Sequence, residues 1–208
     1  MNNPIVYEDD YLVVVDKPAG LLSVPTPKNE SRTLTSILND DLKERGLAYR
    51  LHPCHRLDRE TSGLMIYAKG KAIEEKMMEE FKQRRVKKSY IAFTQGQVSA
   101  DSGEIKAPIE GKNALTGYKV IERKKDFTVI KAEPKTGRTN QIRIHFKHLG
   151  HPIVGDDRFA FRRDFKLRAK RLCLHAEGLE FLHPQTGKNV KLRAPLPEFM
   201  EGFLKNHA

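Results

Sequence analysis

Cysteine is scarce in this chain. Cys54 and Cys173 are the only two in 208 residues, which excludes a disulfide-stapled scaffold and points to reduced thiols and a cytoplasmic setting. No apolar run approaches the roughly 18 residues a spanning helix needs. There is no lipidation motif either, so a membrane is not the expected partner. The start, MNNPIVYEDDYLVVVDKP, has acids and a proline where a secretion signal would have a basic region and a small-residue cleavage site, and reads as mature sequence. Internal repeats, heptads and low-complexity tracts are missing. So are a P-loop and a G-x-S-x-G elbow, and GHPIVGDD (150–157) lacks the spacing of a dinucleotide loop.

Acid is also in short supply. Lys and Arg number 38 against 27 Asp and Glu, a net charge of +11. A surplus of that sign suits a polyanion, because neutralised phosphates release condensed counterions, and nucleic acid is the leading class of partner. With 38% hydrophobic and 31% charged residues, the composition is that of a folded chain rather than a disordered one. The length allows one large domain or two closely packed halves.

IVYEDDYLVVVDKP reads as a hairpin, with a turn at Glu8-Asp9-Asp10 and a second strand from Tyr11 to Val15. Ser31 or Thr33 can cap a helix carrying Leu34, Ile37, Leu38 and Leu42 and stopped at Gly46. Leu64 to Ala68 is a continuous apolar run that suits a buried strand. Ile73, Met77 and Phe81 then recur at helical spacing, with acids early and KQRR late. Beyond them the period falls to two: SYIAFTQG, GYKVIER, FTVIKAEP, QIRIHFKH, LEFLHP and NVKLRAP read as short strands. Many strands with few helices predict an α+β fold with a mixed, largely antiparallel sheet.

Strict alternation in QIRIHFKH sends Ile142, Ile144 and Phe146 to one face and Gln141, Arg143, His145 and Lys147 to the other. Read this way, the strand packs on one side and shows a polar, mostly basic row on the other. KTGRTN just before it supplies Lys135 and Arg138. KQRRVKK (82–88) holds five cations in seven residues, and RFAFRRDFKLRAKR (158–171) seven in fourteen, interleaved with Phe159, Phe161 and Phe165. Such runs fit phosphate-backbone contact, and the aromatics fit either base stacking or core packing. His52, Cys54, His55, Cys173 and His175 invite a zinc reading. The deaminase pattern, however, needs H-x-E before P-C-x-x-C, and here the order is reversed with Leu57 where a second thiol belongs.

That leaves HPCHRLDRETSG (52–63), where Asp58 stands among His52, His55, Arg56 and Arg59, ahead of ETSG. It can be a structural turn or cap. As a reacting group it needs a partner that keeps it ionised and aimed, and a bidentate arginine does both. Arg143 is a suitable donor.

At these residues the chain resembles the RluA-type RNA pseudouridine synthases. The resemblance is carried by HRLDRETSGLMIYAK (55–69), KKSYIA (87–92), PKTGRTNQIRIHFKHLGHPIVGD (134–156), RLCLHAEGLEFLHPQTGK (171–188) and APLP (194–197), and the opening segment is similar as well. It implies a single catalytic domain over residues 1–208, a central sheet crossed by a basic cleft, and isomerisation of uridine in large-subunit rRNA or tRNA without metal or organic cofactor. By the same resemblance Asp58 is the catalytic aspartate, Tyr90 lies against the uracil and is the candidate base for its C5 proton, and Arg143 pairs with Asp58. Ile142 walls the base pocket, Arg56 enters the space left by a flipped uridine, and Arg138 holds phosphate or the pocket loop; with no RNA-binding domain in front, Lys88, at the end of the basic run 82–88, is expected to contact RNA. The family's opening segment begins near Pro4, which leaves no room for the small RNA-binding domain many relatives carry in front. A monomer is expected. The competing reading is a non-catalytic RNA-binding or ribosome-assembly module on the same fold.

Overall fold

The computed structural model describes residues 4–26, 32–160 and 167–207. The fold is α+β, with ten strands and four helices among the described residues and mostly antiparallel pairing. The chain divides into two compact units, Met1–Val86 with Gly178–Ala194, and Lys87–Glu177 with Pro195–Ala208.

The first unit opens with the expected hairpin, β1 (Ile5–Glu8) against β2 (Leu12–Lys17). Asp9 closes its turn by accepting from the backbone N–H groups of Tyr11 and Leu12, both at 2.8 Å. β2 pairs next with β4 (Ser62–Lys69), whose residues from Ser62 to Ala68 are all buried, as the unbroken apolar run requires. A short strand not read from the sequence, β3 (Leu51–Pro53), also pairs with β4. Helix α1 (Leu34–Glu44) takes Thr33 as its cap: the Thr33 hydroxyl accepts from Ser36 N–H at 3.1 Å, and the Ser36 hydroxyl accepts from Thr33 N–H at 2.9 Å. The alternative cap, Ser31, lies outside the described residues. Helix α2 (Lys71–Lys82) buries Ile73 and Met77 and packs Phe81 against the core, leaving Met78 exposed. This core gathers Leu12, Val14, Leu64, Ile66, Cys54 and, from the returning chain, Leu179 and Phe181.

The second unit holds four antiparallel strands in the order β5 (Lys87–Gln95), β8 (Phe127–Pro134), β7 (Leu115–Arg123), β6 (Ser102–Lys106), with β6, β7 and β8 forming a meander whose last strand returns beside β5. β6 is a strand the sequence reading passed over. Strand β9 (Leu174–Leu182) leaves this unit after Glu177, and its residues Gly178–Leu182 pair with β10 (Asn189–Arg193) in the first unit. The C-terminal helix α4 (Glu198–Asn206) sets Met200 and Phe203 into a core with Phe93, Phe127 and Val129.

One expected strand is a helix. QIRIHFKH forms α3 (Gln141–His148), and its polar residues are not a solvated row: Gln141, Arg143 and His145 are buried beside Ile142 and Phe146. Ile142 and Phe146 stand four apart, so eight residues fit a helical stripe as well as an alternating one. Burial of the polar side chains is what decides it, because each finds hydrogen-bond partners.

Candidate RNA-modifying site

Asp58 lies in the loop between β3 and β4. Exposure alternates along it: Arg56 is exposed, Leu57 buried, Asp58 half-buried and Arg59 exposed. Leu57 anchors the loop, donating its N–H to Ser23 Oγ at 3.0 Å and accepting from the same hydroxyl at 2.7 Å. Arg59 contributes its carbonyl, which accepts from Gly20 N–H at 2.8 Å and from Lys17 Nζ at 3.1 Å. The Lys17 ammonium is fully buried and also donates to the carbonyls of Leu21 at 2.7 Å and Pro18 at 3.0 Å. Desolvation draws its pKa down to about 8, against the pull of Glu60, Asp58 and Asp16. At neutral pH it is a cation that ties three backbone carbonyls together behind Asp58. Thr61 N–H closes the turn onto Asp58 O at 3.2 Å, while the Thr61 hydroxyl is buried without a hydrogen-bond partner among the described residues.

His52, Cys54 and His55 are built into the same loop. His52 Nδ1 faces Glu74 at 3.2 Å. Cys54 is packed in the core, its thiol pKa pushed up to about 12 by burial. His55 Nε2 accepts from Ile66 N–H at 3.1 Å, and its ring packs on Phe81 at 5.0 Å. They brace the loop as core and hydrogen-bond partners.

In the second unit Tyr90 is buried on β5, opposite Ala132 of β8. Lys88 precedes it by two residues and therefore points to the same face. Arg143 is 1% exposed on α3 and is gripped bidentately by Asp156, Nε to Oδ2 at 2.7 Å and Nη2 to Oδ1 at 2.9 Å. Asn140 Oδ1 accepts from Nη1 at 3.0 Å, and the Phe159 ring lies 4.9 Å from the guanidinium. Phe159 thus packs on Arg143, whereas Phe161 and Phe165 fall outside the described residues, as does the middle of the basic run around them. Ile142 is buried beside Arg143.

Arg138 is exposed on the loop ahead of α3, and its Nε donates to Asn113 O at 3.2 Å. Gln141 pins that loop. Its Oε1 accepts from Thr136 Oγ1 at 2.7 Å and Arg138 N–H at 3.0 Å, while Nε2 donates to Leu115 O at 3.0 Å and Thr116 Oγ1 at 2.9 Å.

Three of these residues escaped the sequence reading: Lys17, Asp156 and Gln141. Lys17 follows an apolar strand and precedes a proline, which gives no hint of a buried ammonium. Asp156 sits in GHPIVGDD, noted in the sequence only for lacking the spacing of a dinucleotide loop. The segment in fact makes a single bridge, Ile153 with Thr94.

The chain and its fold are similar to those of known proteins. The family model described as RNA pseudouridylate synthase matches residues 11–148. The chain is 36% identical to the uncharacterized RNA pseudouridine synthase YlyB of Bacillus subtilis, over 99% of this chain and 73% of that protein. It is 37% identical to the dual-specificity RNA pseudouridine synthase RluA of Haemophilus influenzae, over 91% of each. Its structure superposes on human RNA pseudouridylate synthase domain containing 4 with a TM-score of 0.82 at 26% identity, covering 97% of this chain and 91% of the other. The chain belongs to the RluA-type RNA pseudouridine synthases, isomerases that act on RNA.

Proposed function

We propose that this enzyme converts uridine to pseudouridine in large-subunit rRNA, tRNA or both, with Asp58 as the catalytic aspartate. The observation that carries the assignment is the aspartate itself: the one acid of the family's H-R-L-D element, half-buried on a loop fixed from behind by Lys17 and Ser23. A carboxylate so held presents a set geometry to substrate without spending binding energy on ordering its loop. The dual specificity named for the Haemophilus relative agrees with more than one target RNA.

In the reaction the N1–C1′ bond of the nucleotide breaks, the uracil turns, and a C5–C1′ bond forms; C5 loses a proton and N1 gains one. Asp58 acts on the ribose or the base during bond exchange. Tyr90, on β5, lies against the uracil and takes the C5 proton. Arg143 keeps Asp58 ionised and oriented, and Ile142 walls the base. Arg56, exposed two residues before the aspartate, fills the gap left by the extruded nucleotide and offsets part of an unstacking cost of a few kcal/mol. Arg138 and Lys88 hold the RNA. These roles are assigned from the motifs that carry the residues, one motif at a time.

The test is release of tritium from RNA labelled at uracil C5, with tRNA and large-subunit rRNA transcripts as substrates. Wild type is expected to release label and Asp58→Asn to lose at least about 10³-fold in rate while binding RNA as before. Folded wild-type protein that releases nothing from any transcript overturns the assignment. Comparison of pseudouridine maps from cells with and without the gene then identifies the target position.

A further inference from the structure

Lys88 differs from its neighbours in one respect. In the second unit, Lys135 and Lys131 share Glu133, at 3.2 and 3.9 Å, Lys124 meets Glu122 and Lys106 meets Glu104. Lys88 is half-buried and has no hydrogen-bond or ion-pair partner among the described residues. Burial lowers its pKa, with no acid to raise it again. A cation in that position has given up water and received nothing from the protein in return.

Its surroundings are shaped to receive an anion. The ammonium stands over Gly137, 3.8 Å from where a Cβ on that residue would sit. Gly137 lies between Thr136 and Arg138, both bound by Gln141 Oε1, so the loop beneath Lys88 is held in place. Arg138 adds a second, exposed cation on the same loop. Along β5 Lys88 lies two residues before Tyr90 on the same face, about 6.6 Å at the usual rise per residue.

We propose that the Lys88 ammonium binds a phosphodiester oxygen of the substrate RNA, at the nucleotide whose uracil meets Tyr90 or at its neighbour. This rests on the pseudouridine synthase reading and deepens it: Lys88 is a phosphate subsite inside the substrate site, separate from the diffuse attraction of the surface cations. Binding satisfies a desolvated charge, so the contact is worth more than that of a hydrated surface lysine.

The experiment uses the full chain and the transcript that gives the fastest tritium release with wild type. Binding of that transcript to Asp58→Asn protein, with and without Lys88→Met, is measured across a salt series. Removing one phosphate contact should reduce the slope of log K against log salt by about 0.7 and weaken binding roughly fivefold to tenfold at low salt. In the active enzyme Lys88→Met should raise KM with kcat nearly unchanged, and Lys88→Arg should restore most of the loss. Lys135→Met, whose lysine already has an acid, should leave the slope within about 0.2 of its starting value. An unchanged slope in Lys88→Met with wild-type turnover intact overturns the subsite alone. Loss of thermal stability in Lys88→Met with the slope preserved in Lys88→Arg and Lys88→Gln alike also overturns it, since the residue is then structural. No turnover by wild type on any transcript overturns the reading on which the subsite rests.

Discussion

Among the described residues each unit fully buries one large cation, and the two solve the same problem in opposite ways. In the first, Lys17 spends its three protons on backbone carbonyls and leaves nearby carboxylates at a distance, so desolvation wins and its pKa falls to about 8. In the second, Arg143 meets Asp156 along two parallel bonds and Asn140 along a third. A point charge with three rotatable donors suits carbonyls that converge from separate turns; a planar fork suits one carboxylate. The lysine therefore fixes a backbone, the loop that carries Asp58. The arginine is itself the fixed object.

That contrast can be broken from either side. The largest effect is expected from Asp156→Asn, which leaves a guanidinium buried opposite a neutral amide and should cost about 3–5 kcal/mol of stability in urea unfolding. Lys17→Met should cost less, about 2 kcal/mol, because losing three hydrogen bonds is partly offset by removing a desolvated charge. Its pH dependence sharpens the comparison. The folded pKa of Lys17 is about 8 against 10.5 unfolded, so between those values the unfolded chain holds more protons and wild-type stability gains on the variant as pH rises; below pH 8 the difference is constant. Unfolding both proteins at pH 7, 8 and 9 measures this. The thiols of Cys54 and Cys173, raised to about 12, act in both proteins and cancel. The smallest effect, with the opposite sign, belongs to Thr61→Val, which removes a buried hydroxyl that has no partner among the described residues and should raise stability by up to about 1 kcal/mol.

Features governed by local pattern were readable in the sequence. Thr33 capped α1, the apolar run at 64–68 became a buried strand, and Ile73, Met77 and Phe81 marked the inner face of α2. The segment from Gln141 to His148 was misread because its polar residues looked like a wet face. Whether a glutamine, an arginine and a histidine are wet or buried depends on acceptors supplied from Leu115, Ala107 and Asp156, which are distant in sequence. Asp58, the aspartate proposed to react, was legible because a short motif carries it, whereas its supporting lysine was not. Nothing local distinguishes an ammonium that ends in water from one that ends among carbonyls.

The Gln141 hub settles the placement of several protons. Arg138 N–H can only donate and Leu115 carbonyl can only accept, so the amide of Gln141 has one permitted orientation. Its Nε2 then donates to Thr116 Oγ1, whose single proton is left for His145 Nδ1 at 2.9 Å. His145 must carry its own proton on Nε2, where Ala107 O accepts it at 3.0 Å, and burial holds the imidazole neutral by lowering its pKa. The acceptor-only Ala107 carbonyl thus sets the tautomer of the neutral His145, and Gln141, Thr116 and His145 donate in a single direction toward it.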